Sequence, residues 1–113
     1  MKIGHYSFGK IIIDGTTYTS DVIIYPDKVN SSWWRKTGHN LEVADLTDVM
    51  NEKPEILVIG TGASGLMKVA EETLSYLKSK DIEVFVLRTD EAVEKFNKLQ
   101  RDKKVIAAFH LTC

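Results

Sequence analysis

Residues 55–65 read Glu55-Ile56-Leu57-Val58-Ile59-Gly60-Thr61-Gly62-Ala63-Ser64-Gly65. A short apolar run, rich in β-branched side chains and stopped by glycine, reads as a buried strand. The next segment has a different period. Leu66, Ala70, Thr73, Leu74 and Leu77 recur at helical spacing and predict a helix over residues 66–78. Ile82 to Leu87 is a second apolar strand. Thr89 has the chemistry of an N-cap, and Asp90 and Glu91 then place negative charge in a first helical turn, where the helix dipole favours it. That helix buries Ala92, Val93, Phe96 and Leu99, and Val105 to Leu111 forms the last strand. Strand, helix, strand, helix, strand implies right-handed crossovers between parallel strands, and so an α/β layering.

Working back from residue 55, the first third reads as β. Lys10-Ile11-Ile12-Ile13 and Thr16-Thr17-Tyr18-Thr19 flank Asp14-Gly15. An Asp-Gly pair between β-forming runs predicts a tight hairpin, because both central residues must take positive φ. Ile3 to Phe8 adds a short edge strand, and Asp21 to Tyr25 is a further run stopped by Pro26. Antiparallel strands beside a parallel unit make the sheet mixed. Residues 26–43 show no period and read as a long loop, a feature that tends to carry function. A short helix is expected over residues 45–52, with Leu46, Val49 and Met50 inward. Pro54 ends it and disfavours helical backbone at Lys53, which is expected to be extended.

At 113 residues the chain makes one domain, residues 1–113. With 15 Lys and Arg against 16 Asp and Glu, the net charge is -1. The two signs are interspersed, as in Lys78-Ser79-Lys80-Asp81, so no basic face for nucleic acid is expected. No apolar run is long enough to span a bilayer. One cysteine and an N-terminal stretch without an apolar signal core suit a reducing, cytoplasmic setting.

The chemical signal lies in Gly60, Thr61, Gly62, Ala63, Ser64 and Gly65, which match G-x-G-x-x-G between a strand and an expected helix. In that setting one glycine allows a tight turn, a second lets backbone approach a ligand, and a third lets helix pack on strand. Amides at the helix N-terminus then favour an anion. Arg88 and Thr89 stand where a dinucleotide site carries an acidic residue, and the arginine suits a phosphate. Three readings stay open: a dinucleotide fragment, a small anion, or a turn that is only structural. The pattern lacks the G-K-[ST] of a P-loop.

Adjacent tryptophans, Trp33 and Trp34, cannot both point inward in extended chain. One is expected in the core and the other over the loop or a partner. Arg35 beside them can clamp a carboxylate or stack on a ring, and His39 comes four residues later. With the three late strands parallel, Gly60 to Gly65, Arg88-Thr89 and His110 to Cys113 share one rim, and the loop from Trp33 to His39 covers it. The spacing of His5, His39, His110 and Cys113 resembles no zinc signature. No metal, cofactor or catalytic residue is assigned. Asp14, Asp21 and Asp45 fall in turn or cap positions, where aspartate is ordinary.

Together, Ile13-Asp14-Gly15, Trp34-Arg35 with Gly38-His39, Leu57 to Gly62, Glu91-Ala92 with Phe96-Asn97, and Phe109-His110-Leu111-Thr112-Cys113 resemble an uncharacterised domain. Archaeal and bacterial hypothetical proteins share it with the adipogenesis-associated protein of animals and a mitochondrial complex I assembly factor. The resemblance implies a three-layer α/β domain with a mixed central sheet and extra β-structure. It brings no catalytic residue, and its eukaryotic members tilt the functional expectation toward a non-catalytic binding, assembly or regulatory module with protein partners. The alternative is an enzyme or sensor holding a small anionic ligand at the glycine turn.

Overall fold

The computed structural model describes residues 1–37 and 39–113. Gly38, one of the residues behind the resemblance, lies outside them. The described strands are β1 (Ile3–Ser7), β2 (Lys10–Ile13), β3 (Thr16–Tyr18), β4 (Val22–Ile24), β5 (Val29–Asn30), β6 (Asn40–Leu41), β7 (Ile56–Thr61), β8 (Lys68–Val69), β9 (Glu83–Leu87) and β10 (Val105–His110). The α-helices are α1 (Thr47–Asn51), α2 (Glu71–Ser79) and α3 (Thr89–Leu99).

Five strands form the central sheet in the order β5-β4-β10-β7-β9. β10, β7 and β9 are mutually parallel, while β4 runs antiparallel to β10. The chain steps from β7 out to β9, then back across β7 to β10. Right-handed crossovers in opposite directions place α2 and α3 on opposite faces. One face packs Val22, Ile24, Val58, Ala107 and Phe109 against Ala92 and Phe96 of α3 and Ile3, Ile11 and Ile13 of the N-terminal sheet. The other packs Ile23, Leu57, Ile59, Ile106 and Ala108 against Trp33, Leu46, Val49 and Leu77. Covered on both sides, β7 and β10 are buried at every residue, which is why they read as unbroken apolar runs. These are the three layers and the mixed sheet that the resemblance implies.

The N-terminal piece is a three-stranded antiparallel sheet, β1-β2-β3. Asp14 (φ 49°) and Gly15 (φ 81°) both take positive φ, as the hairpin reading requires. Asn97 of α3 ties this sheet to the helix layer: its carboxamide accepts from Ile3 N and donates to Ile3 O.

Several local expectations are corrected. The helix predicted over 66–78 starts at Glu71. Gly65 (φ 71°) turns the chain, Met67 N returns to Thr61 O, and β8 then pairs with β6 before the helix begins. The segment 43–51 is a 3-10 turn, Val43–Leu46, followed by α1, with Asp45 and Glu42 closing a capping box. Lys53 is not extended. It takes φ 50°, a left-handed residue after the helix whose amide donates to Met50 O. The long loop contains two-residue strands, β5 and β6, too short for a period to show.

Candidate functional site

The parallel register aligns Gly60 and Thr61 of β7 with Phe109 and His110 of β10, and Gly60 with Leu87 of β9. The glycine turn, Arg88-Thr89 and His110 to Cys113 therefore sit at the same end of the sheet. β4 runs the other way, with Val22 opposite Phe109, so Asp21 enters this end beside His110.

Asp21 is the centre of a polar cluster. Its Oδ1 accepts from Leu111 N at 2.8 Å. Its Oδ2 accepts from Arg35 Nη2 and lies 2.8 Å from both that atom and His110 Nδ1. The side chains are 6% (Arg35), 8% (His110) and 18% (Asp21) exposed. Burial pushes the Asp21 carboxyl up, but the His110 hydrogen bond, the Leu111 amide and Arg35 together outweigh it and hold the group at about 2. A carboxylate can only accept, so the proton on the His110 ring is fixed at Nδ1. The 3.1 Å approach of Arg35 Nη2 to Nδ1 is then two donors meeting on one oxygen. His110 Nε2 is buried and has no hydrogen-bond partner among the described residues. The His39 ring stands nearly perpendicular to that of His110, 5.7 Å between centroids.

The glycine turn is closed from inside. Gly62 N donates to Thr89 Oγ1 (2.9 Å), Ala63 N to Thr112 O (2.7 Å), and Ser64 N and Leu66 N to Cys113 O (3.2 and 3.0 Å). The expectation that these amides open at a helix N-terminus is corrected on both counts: no helix begins there, and backbone and hydroxyl oxygens take the donors. The glycines have a packing reason. A Cβ on Gly62 (φ 107°) would lie 2.4 Å from the Cys113 carbonyl carbon, and one on Gly60 2.8 Å from Phe109 and from Thr89 Oγ1. Thr89 does not cap α3 with its side chain. Its hydroxyl donates to His110 O at 2.6 Å while accepting from Gly62, joining the end of β10 to the turn after β7. Arg88 is turned to solvent, its side chain 55% exposed beside Asp90 and Glu91. Cys113, the single cysteine, is half-buried. No metal-holding group of His, Cys, Asp and Glu occurs among the described residues.

The loop over this end is pinned. Trp33 is buried, donates Nε1–H to Asp45 O at 3.1 Å, and carries the Arg35 guanidinium 4.7 Å over its ring. Lys36 N donates to Asp45 Oδ1. Between these fixed neighbours Trp34 is 76% exposed. It borders a shallow groove of about 410 Å³ with Ile23, Trp33, Ala44 and Asp48. One tryptophan inward and one outward is the arrangement the extended-chain argument predicts.

Asp21 escaped the sequence reading. An aspartate before a strand looks like an ordinary turn residue; only the antiparallel pairing of β4 with β10 brings it to His110. Its signal was Arg35, a permanent cation that needs a counter-charge if buried.

A model of the family described as protein of unknown function, DUF498/DUF598, matches residues 3–110. Among solved structures, a conserved hypothetical protein from Pyrococcus horikoshii is 28% identical, with a TM-score of 0.87 over 100% of both chains. A Bartonella henselae protein described as an outer membrane protein is 27% identical, with a TM-score of 0.82 over 98% of this chain and 94% of that one. A Mth938-like domain protein from Bordetella pertussis shares the fold at 17% identity and TM-score 0.78, covering 97% of this chain and 85% of that one. Among the described residues no helix is long and apolar enough to cross a membrane.

Proposed function

We propose that this chain, which belongs to the DUF498/DUF598 family, is a non-catalytic binding module that docks a protein partner on the Trp34 groove. The carrying observation is Trp34 itself, 76% exposed between neighbours that cannot move freely. Trp33 is buried and bonded to Asp45, and Arg35 is buried on Asp21. A large aromatic held ready beside an apolar groove loses little conformational entropy on binding, and such side chains dominate interface energetics. The resemblance to a domain that a mitochondrial assembly factor shares points the same way. A chain with one cysteine suits a reducing compartment, and the cytoplasm is the location this reading takes.

Selection of displayed peptides against the intact protein tests the proposal, followed by calorimetry on wild type and Trp34→Ala. Selected peptides are expected to lose about 30-fold or more in affinity on the variant, the scale of a hot-spot residue. Equal binding to both proteins overturns the reading. So does a thermal-shift panel in which a small anion stabilises wild type and Trp34→Ala alike, which would place the function at a ligand site away from Trp34.

A further inference from the structure

The two edges of the central sheet differ. At one, β5 is two residues long and follows Pro26, a blunted edge. At the other, β9 offers five residues, Glu-Val-Phe-Val-Leu, without proline, glycine or bulge. Glu83 N donates to Glu55 O across to the β7 side. Backbone groups alternate along a strand, so those of Phe85 also face β7, and those of Val84 and Val86 face outward. Val86 is 41% exposed. Beside this edge runs a groove of about 400 Å³ between β9 and α3, lined by Phe85, Leu87, Glu91, Glu94, Lys95 and Lys98.

We infer that a second copy of this chain pairs on this edge, β9 against β9 in antiparallel register, joining the two central sheets. Two independent features favour a two-fold arrangement at this edge. The first is backbone geometry. With Val84 and Val86 turned outward, an antiparallel pair puts Val84 opposite the partner's Val86 as hydrogen-bonded pairs, and Phe85 opposite its own copy on the axis. The second is charge. Glu91, Glu94, Lys95 and Lys98 form a row that inverts in sign about its midpoint between Glu94 and Lys95. A two-fold there sets each Glu91 against a Lys98 and each Glu94 against a Lys95. The charge row and the strand midpoint fall in the same part of this edge, with Lys95 Nζ 4.5 Å over the Phe85 ring. An interface whose own charges complement themselves under rotation fits a second copy better than an unrelated strand. This edge lies across the sheet from the Trp34 groove, so the two surfaces are compatible.

Sedimentation velocity from micromolar to millimolar chain tests it, on wild type, Val86→Pro, Glu91→Lys and the double variant Glu91→Lys with Lys98→Glu. Wild type is expected to form a concentration-dependent dimer. Val86→Pro removes an outward-facing donor and abolishes it. Glu91→Lys sets like charges together and weakens it about tenfold or more, and Lys98→Glu restores it. Circular dichroism and melting check that each variant folds; if the proline variant does not, the exposed charge pair alone decides. A wild type that stays monomeric overturns the proposal and leaves the edge to an extended segment of another protein. A dimer indifferent to the variants, or a loss that Lys98→Glu fails to restore, overturns it equally.

Discussion

Asp21 holds three donors on two oxygens, and its ionised form is worth more to the folded chain than to the unfolded one. Its folded value of about 2 lies below the unfolded 3.8, so its stabilisation is complete above about pH 4 and is lost as pH falls through about 2. The shift corresponds to about 2 kcal/mol. Asp21→Asn leaves the buried Arg35 short of a counter-charge and is expected to lower stability at pH 7 by about 3 kcal/mol. Urea midpoints measured against pH should show the gap between wild type and variant closing between pH 4 and pH 2. At the same scale, two glycines with positive φ make a contrast. Gly15 has open space where a Cβ would go, whereas a Cβ at Gly62 would meet the backbone of Thr112 and Cys113. Gly15→Ala is expected to cost about 1 kcal/mol from backbone conformation alone. Gly62→Ala should cost at least about 3 kcal/mol, since the crossing chain must also move. Denaturant titration of the two variants measures the difference, and equal losses would show that the crossing chain gives way easily.

At the scale of elements, the loop holding Trp33 to Lys36 is built on alternation: a buried residue, an exposed one, a buried one. Trp33→Ala removes a packed ring, its hydrogen bond and the surface under Arg35, and is expected to cost about 3–5 kcal/mol. Trp34→Ala should stay within about 0.5 kcal/mol. A melting point lowered as much by Trp34→Ala as by Trp33→Ala would mean that the exposed ring is part of the fold. The alternation was legible in adjacent tryptophans because extended chain has period two. The start of α2 was not legible. Leu66 and Ala70 fit a helical phase, but the amides of Ala63, Ser64 and Leu66 bond to Thr112 and Cys113, and the chain spends four more residues, 67–70, crossing to β6 before turning helical. A local period cannot report a partner some 50 residues away.

Across the whole molecule, β7 and β10 lie beneath both covering layers, while β1 to β3 form a separate outer sheet with exposed residues in each strand. Amide hydrogen exchange is therefore expected to be slowest in β7 and β10 and faster by orders of magnitude in β3. Uniform protection across both sheets would instead mean that the N-terminal sheet opens only with global unfolding. The end of β10 is where the layers are joined. Leu111 O accepts from Gly9 N and from the Tyr6 hydroxyl, Thr112 and Cys113 receive the glycine turn, and Thr89 binds His110 O.

The amino-acid order alone determined the α/β class, the Asp-Gly hairpin, the buried strands and the division of labour between the two tryptophans. Each arises from side-chain periodicity or backbone sterics within a few residues. The tertiary structure alone decided that Asp21 joins Arg35 and His110, and that the glycines make room for Thr112 and Cys113 and for Phe109. Both depend on the order and direction of β4, β10 and β7. Strand neighbours are set by the summed burial of all three layers, a quantity no local window contains.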